Sequence, residues 1–347
     1  MNSRANILSR RAGWSCFFIC ALLSIAYDAA EVRERWQIYD SDKFPDNNIN
    51  AMALDSAGNI WFGTNNGLAR MTASETWDTF DGDNTGGGLS GNKITFLEVD
   101  EFGDMWIGTD KGLSLYSNGD WQSFTVENTS GGLPHNSVLS IAFDDNNDKW
   151  IGTENGFAHL KGSIWTTYSG DKIIGLIPDY KIYAIAWAEG NLIWLGTVTG
   201  LIKFNGSSYA MHTKANTSGG LPNDYITEIK IDKQGILWAG TQEGLASFKD
   251  NTWKTYLPET QKEICGKVVY TITRGKGDNV WFGFKGGACR YSRGVWKAYD
   301  QLGIAKTYDR EHGPPSYQVL SILDNENGEI WFGTRGGVCK IIPIIGK

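Results

Sequence analysis

A short phrase recurs seven times along the chain: Trp, any residue, Gly, in most copies preceded by a hydrophobic residue and followed by Thr. Its tryptophans are Trp61, Trp106, Trp150, Trp194, Trp238, Trp281 and Trp331, separated by 45, 44, 44, 44, 43 and 50 residues. A Gly follows each Trp six positions later, from Gly67 to Gly337. A second marker, aromatic-x-x-aromatic, keeps step with the first: Trp36–Tyr39, Trp77–Phe80, Trp121–Phe124, Trp165–Tyr168, Trp253–Tyr256 and Trp296–Tyr299, with Tyr209 to His212 in the remaining slot. The two markers absorb 13 of the 15 tryptophans, so these side chains are structural before anything else. A fixed period near 44 residues dictates a repeat architecture.

Each unit reads as four short strands. In the third unit these are 138–144, 149–153, 156–161 and 164–169, separated by polar turns, with Gly156 supplying the positive φ of a tight turn. The apolar runs are short, rich in β-branched and aromatic residues, and interrupted by Gly, which disfavours helical repeats. Gly is 43 of 347 residues, against a usual share of about 7 percent. Four strands per unit and seven units predict an all-β, seven-bladed β-propeller over 33–342. The last unit lacks an aromatic fourth strand, whereas Trp36–Tyr39 precedes the first complete unit. The N-terminal strand is therefore expected to complete the last blade and close the ring.

Residues 1–26 carry Arg4, Arg10 and Arg11 and no acid, then the apolar stretch 14–25 and small residues before a cut after Ala26. That layout predicts a secretory signal peptide, cleaved near Ala26, and a periplasmic or secreted protein, the alternative being an uncleaved anchor. The mature chain would hold 29 basic and 39 acidic residues, net −10, with no further membrane span. Such a field does not suit a nucleic-acid partner. Three cysteines remain, Cys265, Cys289 and Cys339, in no metal-binding or redox motif. Cys289 and Cys339 hold equivalent positions in neighbouring units, too far apart for a disulfide, and are expected to be free.

Up-and-down strand order places the outer-to-inner connections and the second-to-third turns on one face. The connections include NTGGGLSGN (84–92), NTSGGLPHN (128–136) and NTSGGLPND (216–224), with longer insertions at 170–180 and 300–318. Insertions gathered on one face of a repeat protein mark a binding face. The residue just before each inner strand is Asn47, Asn92, Asn136, Tyr180, Asp224, Gly266 or Tyr317. These are expected to ring the channel mouth, joined by Lys285 and Arg335 from the turns. Amides, phenols and a carboxylate suit a hydroxyl-rich small molecule such as an oligosaccharide; the competing reading is that Asn and Asp cap turns here. No metal site or cofactor is expected: the Asp144 to Asp148 turn lacks the sixth-position Gly and the later Glu of an EF-hand loop. His159 is expected to pack within its blade. His135 and His312 fall in the face loops, in no catalytic motif.

The IWFGT…GL and NTSGGLPxN phrases resemble the two-component regulator propeller repeats of bacterial sensor proteins. In that family the propeller often forms the periplasmic sensing part of a hybrid histidine kinase. This chain ends at Lys347 after the seventh unit. The resemblance therefore implies sensing or binding without an attached catalytic output, read by a partner such as a separate sensor kinase. The alternatives are a protein-interaction platform in the cell envelope and a lyase of the virginiamycin B type, for which His312 beside Glu311 would be the place to look.

Overall fold

A computed structural model of the chain describes residues 33–39, 41–169, 181–300, 318–325 and 327–344. The leader and both long insertions, with Tyr180, Tyr317, Glu311 and His312, lie outside them. Seven four-stranded antiparallel sheets form seven blades. Blade 1 consists of Ala51–Leu54, Ile60–Thr64, Gly67–Met71 and Trp77–Phe80. The inner strands of blades 2 to 7 are Ile94–Val99, Val138–Phe143, Ala184–Ala188, Ile226–Ile231, Val269–Arg274 and Val319–Asp324. The strands of blade 3 begin and end within one residue of the positions read from the sequence. Closure is as expected: Arg33–Tyr39 pairs antiparallel with Gly337–Ile344 over seven residues and becomes the outer strand of blade 7.

The Trp period follows from the way blades stack. Each second-strand Trp turns toward the next blade, and one hydrophobic cluster fills each of the seven interfaces. Trp331 of blade 7 sits with Phe62 of blade 1, so the last interface is built like the others. Burial of an aromatic of this size is worth roughly 4–6 kcal/mol of transfer free energy from area alone. The seven-fold pattern of Trp is thus the pattern of interfaces.

The Thr and Gly of the repeat shape the second-to-third turn. Thr153 Oγ1 donates to Gly156 O and accepts from Asn155 N, tying the turn to itself. Gly156 has φ of 98°, and an added Cβ would collide with Tyr168 O of the outer strand. Blade 6 has Phe284 in place of the Thr, and its ring is fully buried instead. Cys289 and Cys339 are both free and buried, in different interface clusters. Burial pushes the Cys339 thiol up to about 12.

Candidate functional site

The outer-to-inner loops and the second-to-third turns do share a face: Gly67 N, in the turn of blade 1, donates to Asn92 O before the inner strand of blade 2. The three NT-x-GGL loops have one construction. In the second, Thr129 Oγ1 donates to Thr125 O and accepts from Leu133 N, while Asn128 Nδ2 donates to Ser123 O. Leu133 is driven into the interface and fully buried, as are Leu89 and Leu221. Gly132 packs on Trp165 of the next outer strand, where a Cβ would not fit, and Thr167 Oγ1 of that strand donates back to Gly132 O. Each loop is a latch between two blades.

The residues expected to ring the mouth take several places. Asn92 Oδ1 accepts from Gly82 N, Asn136 Oδ1 from Val126 N, and Asp224 Oδ1 from Lys214 N, each at the start of its loop. Their side-chain oxygens hold the latches. Asn47 is exposed, and so are Lys285 and Arg335 at the turn tips. Gly266 packs near the Phe284 turn.

The ring that does line the channel lies three residues further along, four in blade 6. Asn50, Thr95 and Tyr270 line it directly, and the repeat gives Tyr183 and Thr227 the same place, with Leu139 and Leu320 completing the set. In blades 2, 3, 5, 6 and 7 this residue is the extra one of a β-bulge at the start of the inner strand. A bulge re-aims its side chain. The sequence carries a signal for it. The inward apolar pairs are spaced by three, as in Ile94 and Leu97 or Ile226 and Ile229, where an even strand would space them by two. Tyr183 lies 5.0 Å from Tyr225, ring to ring, and Lys181 Nζ sits 4.9 Å above Tyr183 while donating to Glu154 Oε1 at 2.7 Å. Thr227 Oγ1 is buried without a hydrogen-bond partner among the described residues.

Deeper in the channel the walls become charged. Lys230 Nζ of blade 5 donates across the bore to Glu98 Oε1 of blade 2 at 2.5 Å. Their side chains keep 28 % and 39 % of their exposure, so water reaches a pair that protein surrounds. Burial pushes the Glu228 carboxyl up to about 7; Lys230 and the Ile229 amide offset part of this, and Glu98 adds to it. Burial works against the Lys230 ammonium, yet Glu98 and Glu228 hold its pKa above the ordinary value. The strut splits the bore. One cavity of about 410 Å³ is bounded mainly by blades 1, 2, 6 and 7, and another of about 310 Å³ by blades 3, 4 and 5. Glu98, Lys230 and Arg274 line both.

Of the histidines, His135 accepts from Ser137 N through Nδ1 within the loop face. His212 packs among Trp194, Phe248 and Trp253. His159 stacks on Trp150 at 4.0 Å, as a blade-packing residue should. Burial lowers the pKa of both His159 and His212. No described helix is long and apolar enough to cross a membrane.

The two component regulator propeller family matches residues 43–66, 88–111 and 220–243. No curated protein sequence matches the chain. Among solved structures, the chain is similar to the extracellular domain of a B. thetaiotaomicron protein assigned to the hybrid two component systems. Identity is 19 %, the TM-score is 0.71, and the match covers 90 % of this chain and 42 % of that one. The chain therefore spans about two fifths of that relative's length. A second extracellular domain from B. thetaiotaomicron, assigned to a one component system, matches at 18 % identity and TM-score 0.66, over 89 % of this chain and 42 % of its own. Virginiamycin B lyase from Staphylococcus aureus matches at 14 % identity and TM-score 0.65, over 91 % of this chain and 100 % of its own. At these identities the structural likenesses establish the fold. The phrases that set the blade period are similar to those of the two component regulator propeller, whose family model matches three stretches of this chain.

Proposed function

We propose that this propeller is a sensor-type binding module outside the cytoplasm that takes a polar, hydroxyl-rich small ligand, a sugar fragment by preference, at the channel mouth on its loop face. One observation carries the reading. The ring of Asn50, Thr95, Tyr183, Thr227 and Tyr270 gathers amide, hydroxyl and phenol groups over a concavity with charged walls. Pockets of a few hundred Å³ with a few convergent polar groups are the usual form of a small-ligand site. The Tyr183–Tyr225 pair offers aromatic surface for a sugar face, and the unpartnered Thr227 hydroxyl offers a hydrogen bond.

The test is a thermal-shift screen of oligosaccharides and small metabolites, since a ligand of the folded state raises the midpoint by mass action. A hit is expected to lose about tenfold in affinity on Tyr183→Ala. Asn92→Ala with Asp224→Ala is expected to lower the ligand-free midpoint, because those side chains hold latches. A hit unchanged by Tyr183→Ala moves the ligand off the mouth. No hit at millimolar concentrations favours an interaction platform for a cell-envelope protein, such as a separate sensor kinase. A second reading has its own support: this chain matches the whole length of a virginiamycin B lyase. A lyase would show turnover that is lost on His312→Ala.

A further inference from the structure

On the face opposite the loops, blade 3 departs from a pattern that three of its sisters keep. In blades 1, 2 and 5 the Asp of the first-to-second turn accepts the indole N–H of its own blade's Trp. Trp61 donates to Asp55 Oδ2 at 2.8 Å, Trp106 to Asp100 at 3.0 Å and Trp238 to Asp232 at 2.9 Å. Blade 3 has the matching Asp144 and Trp150, and Asp144 Oδ1 caps the turn normally, accepting from Asn146 N and Asp148 N. Yet Trp150 is 8 % exposed and its Nε1 has no hydrogen-bond partner among the described residues. Asp144 Oδ2 instead faces His159 Nε2 at 3.7 Å, too far for a hydrogen bond, and that nitrogen too is buried without a partner. In blade 7 the Trp331 nitrogen is also without a partner among the described residues, but there Asn325 stands in the place of the Asp. In blade 3 the acceptor is present and points elsewhere.

The charge count differs as well. The strand partner of the Trp is Arg70, Lys203, Arg290 or Lys340 in blades 1, 4, 6 and 7, each a cation over the indole. In blade 7, Lys340 also pairs with Glu329 at 2.8 Å. Blade 3 places Asp148 where blade 7 has Glu329, and His159 where it has Lys340. His159 brings an imidazole where the sister brings an ammonium. Among the ion pairs of the described residues, the two carboxylates are left with Lys161, 3.8 Å from Asp148 and itself 69 % exposed. Asp148 is 8 % exposed, and a buried carboxylate short of a cation is costly.

One donor atom from each of Asp144, Asp148 and His159 lies within 4.8 Å of the other two. A cavity of about 310 Å³ adjoins them and runs to Asn191 and Asn205 of blade 4. We propose that Asp144, Asp148 and His159 bind a divalent transition-metal ion of the zinc type, leaving one coordination position open to this cavity. Two carboxylate oxygens and one imidazole nitrogen suit such an ion better than calcium, which takes oxygens in larger number. Closing the donors onto the ion draws them to about 3.3–3.6 Å of one another, the spacing tetrahedral bonds of about 2.0–2.2 Å require. Asp144 Oδ2 can move toward the ion, because Oδ1 alone holds the turn.

The test is calorimetric titration of chelator-treated full chain, made without a histidine tag, with Zn²⁺, together with thermal melts. One equivalent of Zn²⁺ is expected to bind and raise the midpoint. His159→Lys rebuilds the blade 7 pair with Asp148, so it should keep the metal-free midpoint while weakening Zn²⁺ at least about tenfold. Asp148→Asn is the second variant, with the same expected loss, and His135→Gln should bind as the parent does. Equal Zn²⁺ binding by His159→Lys and the parent would overturn the assignment. So would no heat and no shift at about 1 mM Zn²⁺, or a Ca²⁺ shift as large as that of Zn²⁺.

Discussion

Glu228 sits where the channel makes ionisation expensive, and its carboxyl titrates near 7 rather than at the ordinary 4.5. Between those values the folded chain binds more protons than the unfolded one, so this group's contribution to stability falls as pH rises through the window. Above about pH 7 the full penalty applies. Glu228→Gln is expected to stabilise the protein by up to about 3 kcal/mol at pH 8 and by less than about 1 kcal/mol at pH 5. Denaturant melts at the two pH values check this, and an equal gain at both would mean that the carboxylate is not destabilised by the channel. His212 runs the other way. Its lowered pKa makes the folded chain bind fewer protons below about pH 6.5, so its contribution rises as pH climbs toward that value.

At the scale of elements, the latch loops explain why Asn, Thr, Gly and Leu recur together. Leu133→Ala empties a fully buried site between blades 2 and 3 and is expected to cost about 2–5 kcal/mol in a chemical melt. Asn128→Ala removes bonds at an exposed loop and is expected to cost about 1 kcal/mol. If the two variants lose the same amount, Leu133 is not the anchor. Strands were legible because Trp, Gly and β-branched residues act on their immediate neighbours, and closure was legible because one unit lacked a strand that another segment supplied. The mouth was less so. An Asn oxygen that accepts a backbone N–H ten residues away, as in Asn92 with Gly82, is spelled like one that awaits a ligand. The charged interior was harder still, since Glu98 and Lys230 are 132 residues apart and meet only across a closed ring. The blade 3 cluster needed a comparison of sister blades: the repeat aligns His159 with Lys340, nine residues after each Trp, but only coordinates show which carboxylates meet the imidazole.

For the whole molecule, closure by the N-terminal strand makes the first and last segments interdependent. A chain beginning at Ser41 leaves Gly337–Ile344 without the partner it holds over seven residues. It is expected to melt at a lower temperature and to associate through the bared strand edge in size-exclusion chromatography. An unchanged melt and a monomeric profile would mean that the other six blades hold the ring alone. The tie between Glu98 and Lys230 has a different consequence. A toroid with an open bore could be strung on a polypeptide tail or a glycan chain like a bead, but a crossbar between the inner strands divides the hole in two. Nothing as wide as a helix, about 10 Å across, threads this ring without first parting its own ammonium from its own carboxylate.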